Sequence, residues 1–193
     1  MDFKTFFESY ELRSPVHQKL VVIYPFDGTV WTKENTRIFN KMSSLFPQSH
    51  YCTTIAADGT NETIIKRKII EACGIHKTQI IECNNPFEPY KVIKLYDNKR
   101  DVVVMLLESS QIRLIKNKKL FKKYSKTDSH LPYGKCIYYI SVPSNENKYE
   151  LQEVVQKYNK ITDTIGRKQF VNRIFGNCDF DTIDKLLNLG ANS

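Results

Sequence analysis

Glycine and histidine are scarce in this 193-residue chain, with seven of the former and four of the latter. The glycines form neither G-x-x-x-x-G-K-[ST] nor G-x-G-x-x-G. That excludes the P-loop and Rossmann fingerprints that cradle phosphates. No G-x-S-x-G elbow is present, so the α/β-hydrolase nucleophile is absent too. The five cysteines, Cys52, Cys73, Cys83, Cys136 and Cys178, form no C-x-x-C pair and lack zinc-ligand spacing. Cys52, Cys83 and Cys136 stand in apolar runs, where a thiol acts as a small hydrophobe. Reduced structural thiols in an intracellular compartment are expected. No apolar stretch approaches the roughly 20 residues that cross a bilayer. Met1 to Ser14 mix acids with Phe and Tyr and lack the basic start and apolar middle of a signal peptide. A cytoplasmic location without a membrane partner is expected, in a cell or in one that hosts a virus.

What is present suits a folded, soluble domain. Hydrophobic residues make up 41% and aromatics 12%, too much for a disordered chain. The length fits one core better than two, which gives a short extension over 1–18 and a single domain over 19–193. The net charge is +8. A basic balance suits partners that carry phosphate, whether nucleotide, nucleic acid or an anionic assembly. Its densest run is Lys116, Lys118, Lys119, Lys122 and Lys123, with Phe121 and Tyr124 interleaved. That run reads either as a solvated helix face or as a phosphate or partner contact.

Strand and helix signals alternate along the chain. Leu20–Tyr24 is a continuous apolar run that reads as a strand buried on both faces, Asp101–Leu107 reads as another buried strand, and Tyr51–Ala56, Thr78–Glu82 and Cys136–Val142 read as three further strands. Between them, Ile38, Phe39, Met42 and Leu45 recur at helical spacing behind Thr32, a suitable N-cap. Ile64, Ile65, Ile69 and Ile70 mark a second helix, which Gly74 stops. Further helices are expected over Tyr90–Tyr96, from about Gln111 through Leu120, near Leu151–Val155, and from about Arg167 onward with a break at Gly176–Asp179. The tail Asp181–Asn192 looks like the end of an ankyrin repeat but occurs once, and repeats need neighbours, so it reads as a terminal helix capped by glycine. The alternation predicts a Rossmann-like three-layer α/β/α fold with a mostly parallel five-stranded sheet and C-terminal helices. Ligands of such sheets sit at the carboxyl ends of the strands. Tyr24 and Asp27 fall at that edge, as does Asp58. The two aspartates precede glycines and read as turn formers or as Mg²⁺ ligands.

Four stretches carry a family resemblance: the opening strand and loop from Val21 to Asn35, Asn85-Pro86-Phe87, the run Ile161-Thr162-Asp163-Thr164-Ile165-Gly166-Arg167, and the closing helical stretch Phe170 to Leu187. With these the chain resembles the cytidylyltransferase-like family of nucleotidylyltransferases, particularly its short phage-type members, from about Lys19 to Leu189. The third stretch matches the family pattern I-S/T-x-T-x-x-R. The resemblance implies that Thr162, Thr164 and Arg167 hold the β- and γ-phosphates of a nucleoside triphosphate. A hydroxyl-capped helix start and a forking arginine suit that task. An ordinary capped helix with an exposed arginine fits the same residues.

Active members carry H/T-x-G-H at the helix after strand one, where the histidines stabilise charge on the attacked phosphate. The corresponding residues here are Thr32, Lys33, Glu34 and Asn35. The glycine becomes Glu34, whose carboxylate repels phosphate, and the second histidine becomes Asn35, which can donate a hydrogen bond but carries no positive charge. Lys33 alone could compensate as a point charge. His17, His50, His76 and His130 fall elsewhere and read as surface residues. The resemblance therefore implies a degenerate transferase fold reused for binding or assembly, as in a viral accessory or virion protein, with a protein partner expected and a nucleotide ligand open. The alternative is an active enzyme that moves a nucleotidyl group from a triphosphate to a phosphorylated acceptor with Mg²⁺. A third reading has the Lys116–Lys123 run bind nucleic acid with steep salt dependence.

Overall fold

A computed structural model describes residues 20–26, 28–45, 49–87, 101–114, 120–125, 135–143 and 148–189. Six strands form one sheet in the order β3-β2-β1-β4-β6-β5. They are β1 (Leu20–Pro25), β2 (His50–Ala56), β3 (Ile80–Cys83), β4 (Val102–Glu108), β5 (Phe121–Lys123) and β6 (Ile137–Val142). The helices are α1 (Lys33–Leu45), α2 (Asn61–Ala72), α3 (Ser109–Leu114), α4 (Leu151–Asn159), α5 (Thr164–Phe175) and α6 (Phe180–Leu189). β1 pairs in parallel with β2 and β4, and β6 pairs in parallel with β4 and β5. The fold is thus the Rossmann-like α/β class with a mostly parallel sheet.

Among the described residues the sheet has six strands rather than five. The extra one, β5, follows directly on the helix expected through Leu120, in residues of the lysine run that read as a helix face. Its Phe121, Lys122 and Lys123 pair with Ile137, Tyr138 and Tyr139. β4 also runs one residue further, and helix α3 starts at Ser109 with no loop between. Gln111 explains the tight turn, because its Oε1 accepts the Glu108 N–H at 2.9 Å. β3 starts at Ile80 rather than Thr78 because Lys77–Gln79 form a 3₁₀ turn. His76 caps that turn through Nδ1, while Gln79 Oε1 accepts the His76 N–H. The helix expected at Tyr90–Tyr96 and the extension over 1–18 lie outside the described residues.

The chain divides into two compact units. The first comprises Met1–Pro25, Phe39–Thr54 and Phe87–Ser144. All six residues of β1 and all seven of β4 are buried, as a central strand covered on both faces requires. Burying each Val, Leu or Met contributes about 1.5–3 kcal/mol, so β4 alone anchors this unit. Phe39 adds an edge-on contact to Tyr51, with ring centroids 5.6 Å apart.

The second unit comprises Phe26–Ile38, Ile55–Pro86 and Asn145–Ser193. Its core is helical. Ile65, Ile69 and Ile70 of α2, Val154 and Tyr158 of α4, Phe170 and Ile174 of α5, and Ile183 and Leu187 of α6 are buried. These residues recur at spacings of three and four, as one apolar stripe per helix requires. Thr60, Asp163 and Asp179 accept backbone N–H bonds at the first turns of α2, α5 and α6.

Candidate functional site

The strand order reverses between β1 and β4, which is where open parallel sheets bind ligands. In the first unit, Tyr24 near the end of β1 and Glu108 at the end of β4 are both buried. A buried carboxylate there is an unfavourable neighbour for a phosphate.

Residues Thr32, Lys33, Glu34 and Asn35 lie at the start of α1 in the second unit. Lys33 is the first helical residue, which makes Thr32 the N-cap as its hydroxyl suggested. The cap is closed from the other direction. Asn35 Oδ1 accepts both the Thr32 N–H at 2.8 Å and the Thr32 hydroxyl at 2.9 Å. Asn35 and Thr32 are both buried. Asn35 thus holds the helix start together. Glu34 faces Arg37 across a 3.6 Å ion pair one turn on, worth about 0–1 kcal/mol at the surface. Lys33 is exposed. Trp31 is wholly buried, donates from Nε1 to Thr36 Oγ1 at 2.8 Å and meets Phe26 edge-on at 5.4 Å. It is a packing residue. The Val30 N–H bonds the Tyr149 carbonyl at 2.8 Å and fixes the loop.

Thr162, Thr164 and Arg167 surround the start of α5. The N-cap is Asp163, whose Oδ1 accepts the Gly166 N–H at 2.7 Å. A carboxylate already fills the place that an anion would take at this helix end. Gly166 is tied to that cap, since a Cβ there would lie 2.8 Å from Asp163 Oδ2 and 2.8 Å from Ile161 Cγ2. Thr162 and Thr164 are exposed. Arg167 points back along the helix. Its Nε donates to the Ile161 carbonyl at 2.9 Å, and its Nη1 pairs with Asp184 at 3.4 Å. The guanidinium lies over the Tyr158 ring, 5.0 Å from the centroid. Tyr158 donates its hydroxyl to Asp184. Burial, then Asp184, push the Tyr158 phenol well above its ordinary range. The arginine joins α4, α5 and α6.

The two motifs do not converge within this unit. Lys33 sits at the far end of α5, against Gly176, where a Cβ on the glycine would come 2.9 Å from the Lys33 Cβ. The helix between is twelve residues long, about 18 Å at 1.5 Å per residue. A triphosphate held at Thr164 does not reach Lys33. The residues at α5, with Asp163 in the anion position and Arg167 engaged, do not fit the nucleoside triphosphate that the resemblance implies. Among the described residues, no three His, Cys, Asp or Glu side chains gather as metal ligands.

A cavity of about 230 Å³ opens at the end of β2 and the start of α2. It is smaller than the roughly 300–1,000 Å³ of most small-molecule sites. Asp58 accepts the Thr60 N–H at 3.0 Å and the Thr60 hydroxyl at 2.9 Å, so it is a turn former. Bonds from Thr63 and Thr60 hold its carboxyl below the usual range. Lys66 bonds the Gly28 carbonyl and pairs with Glu62 at 2.6 Å. Two carboxylates against one ammonium leave a net negative lining, which disfavours phosphate. Sequence reading missed Lys66, although its spacing of four from Glu62 was visible. It also missed Asp163, although aspartate is a better N-cap than threonine.

Lys122 and Lys123 are exposed on β5 and not on a helix, which corrects the helix face read for that end of the run. Asp27, Lys116, Lys118 and Lys119 lie outside the described residues. His50 is exposed at the start of β2 and His76 caps its 3₁₀ turn, while His17 and His130 are not described. No helix among the described residues is long and apolar enough to cross a membrane.

Set beside known proteins, the chain matches no family model and no curated protein. Its class is defined by the fold: an α/β protein built on a mostly parallel sheet.

Proposed function

We propose that this chain is a non-catalytic protein of nucleotidylyltransferase-like architecture that acts by binding, as an accessory or assembly component with a protein partner. The reading rests on Asn35. Its side-chain oxygen accepts two bonds from Thr32 and serves the helix start. The buried amide is held as a helix cap, and unlike the histidine of active transferases it brings no positive charge to a reacting phosphate. Two further features support the reading. Arg167 is engaged with Ile161, Asp184 and Tyr158, and α5 holds it a helix length away from Lys33. The accessory or virion role that the resemblance implies belongs to the same proposal.

The test is a pyrophosphate-release assay with each common nucleoside triphosphate, Mg²⁺ and a panel of phosphorylated acceptors. Release at the no-protein background is expected. Release above background that disappears in Arg167→Ala would overturn the proposal.

A further inference from the structure

Helix α2 ends where α6 begins. The Ala72 carbonyl, left without an intrahelical partner at the end of α2, accepts the N–H of Asp179 at 2.9 Å. Cys73 is the C-cap of α2, and Cys178 directly precedes Asp179. The two cysteines therefore flank a single hydrogen bond between the 72–73 and 178–179 peptide groups. In an antiparallel pair, a bond of this kind holds the residues that flank it about 4.5–5.5 Å apart between Cα atoms. Disulfides span roughly 4.4–6.8 Å between Cα atoms.

We propose that Cys73 and Cys178 are a redox-responsive pair, which hydrogen peroxide converts to a disulfide that locks the end of α2 to the start of α6. All five cysteines are free thiols, and Cys178 alone among them is not buried. The oxidant meets Cys178 first. The peroxide O–O bond breaks, a Cys178 S–O bond forms, and water leaves, giving a sulfenic acid. The Cys73 sulfur then attacks that sulfur. The S–S bond forms, the S–O bond breaks, and the thiol proton leaves with the hydroxide as a second water. The Cys73 thiol is pushed up to about 12, first by burial and next by Cys178, as two nearby sulfurs require. Burial, then Asp179, raise the Cys178 thiol also. Both stay protonated near neutral pH, so the pair oxidises slowly and answers to sustained peroxide. This inference does not depend on the proposed function.

The native full chain is incubated with hydrogen peroxide, quenched with an alkylating agent and mapped by peptide mass spectrometry. A Cys73–Cys178 disulfide is expected. Closing a loop of about 100 residues is expected to raise the melting temperature on the order of 5–15 °C, reversed by dithiothreitol. Cys178→Ser is expected to abolish both the crosslink and the shift while its untreated melting temperature stays near that of the wild type. Three outcomes overturn the proposal: a crosslink between another pair in the native protein, Cys178 ending as a sulfinic acid with Cys73 still free, or a shift that survives in Cys178→Ser. The wild-type map decides the matter even where a variant folds poorly.

Discussion

Gly176 ends α5 directly against Lys33. Its φ of +74° lies in the region that side chains rarely adopt, and a Cβ there would come 2.9 Å from the Lys33 Cβ. Backbone strain and steric overlap act together. Gly176→Ala is expected to destabilise the protein by about 2–3 kcal/mol. Gly28 has a φ of +93° and open space around it. Gly28→Ala is expected to cost only the strain, about 1 kcal/mol. Urea midpoints at constant slope measure the difference. Equal costs would show that the contact with Lys33 does not constrain the site.

Asn35 offers a second lever. Asn35→Ala removes the acceptor for two bonds from Thr32 and is expected to cost about 1–2 kcal/mol. Asn35→Asp keeps an acceptor at the same place and is expected to stay within about 0.5 kcal/mol of the wild type. Asn35→His supplies the side chain that active transferases carry, yet no pyrophosphate release is expected, because α5 keeps Arg167 at its far end. Activity in Asn35→His would contradict the proposed non-catalytic reading.

The sheet was largely legible from the sequence. Val102 to Leu106 and Leu20 to Tyr24 are unbroken apolar runs, and strands covered on both faces need such runs. β5 was not legible, because Phe121-Lys122-Lys123 has no apolar run and becomes a strand only by pairing with Ile137–Tyr139. Tertiary pairing overrode the local helical pattern. At the site, Glu34 and Asn35 were visible as residues, but their tasks were not. That Asn35 reaches back to Thr32 follows from their spacing of three, which reads as half of a capping box. The separation of Lys33 from Arg167 along α5 is a matter of packing, with no local signal to announce it.

Arg167 is expected to behave as a structural residue. Arg167→Ala is expected to destabilise by about 1–3 kcal/mol, since it removes a hydrogen bond to Ile161, an ion pair to Asp184 and a stacked contact on Tyr158. Arg167→Lys is expected to recover only part of that loss, because an ammonium cannot fork between Ile161 and Asp184. Full recovery in the lysine variant, read by thermal melting, would contradict this geometry.

Acid is expected to loosen the second unit. Bonds from the Thr182 side chain and backbone hold Asp179 below its ordinary value of 3.8. Bonds from Thr63 and Thr60 do the same for Asp58. A carboxyl whose folded value is depressed stabilises the fold above its unfolded value. That stabilisation is lost as pH falls through the folded value. Both turns are therefore expected to hold at pH 5 and weaken below about 4. Hydrogen exchange of the Thr60 and Thr182 amides between pH 5 and pH 3 reads this directly. Protection unchanged over that range would contradict the account.

The central claim is that the start of α1 and the start of α5 do not form one triphosphate site. Its most direct measurement is the melting temperature of the native chain with millimolar nucleoside triphosphate and Mg²⁺, since any ligand bound to the folded state raises it by mass action. No shift is expected with any of the common triphosphates. A rise of several degrees that Lys33→Ala and Arg167→Ala each abolish, in variants still folded at the start of the melt, would contradict it.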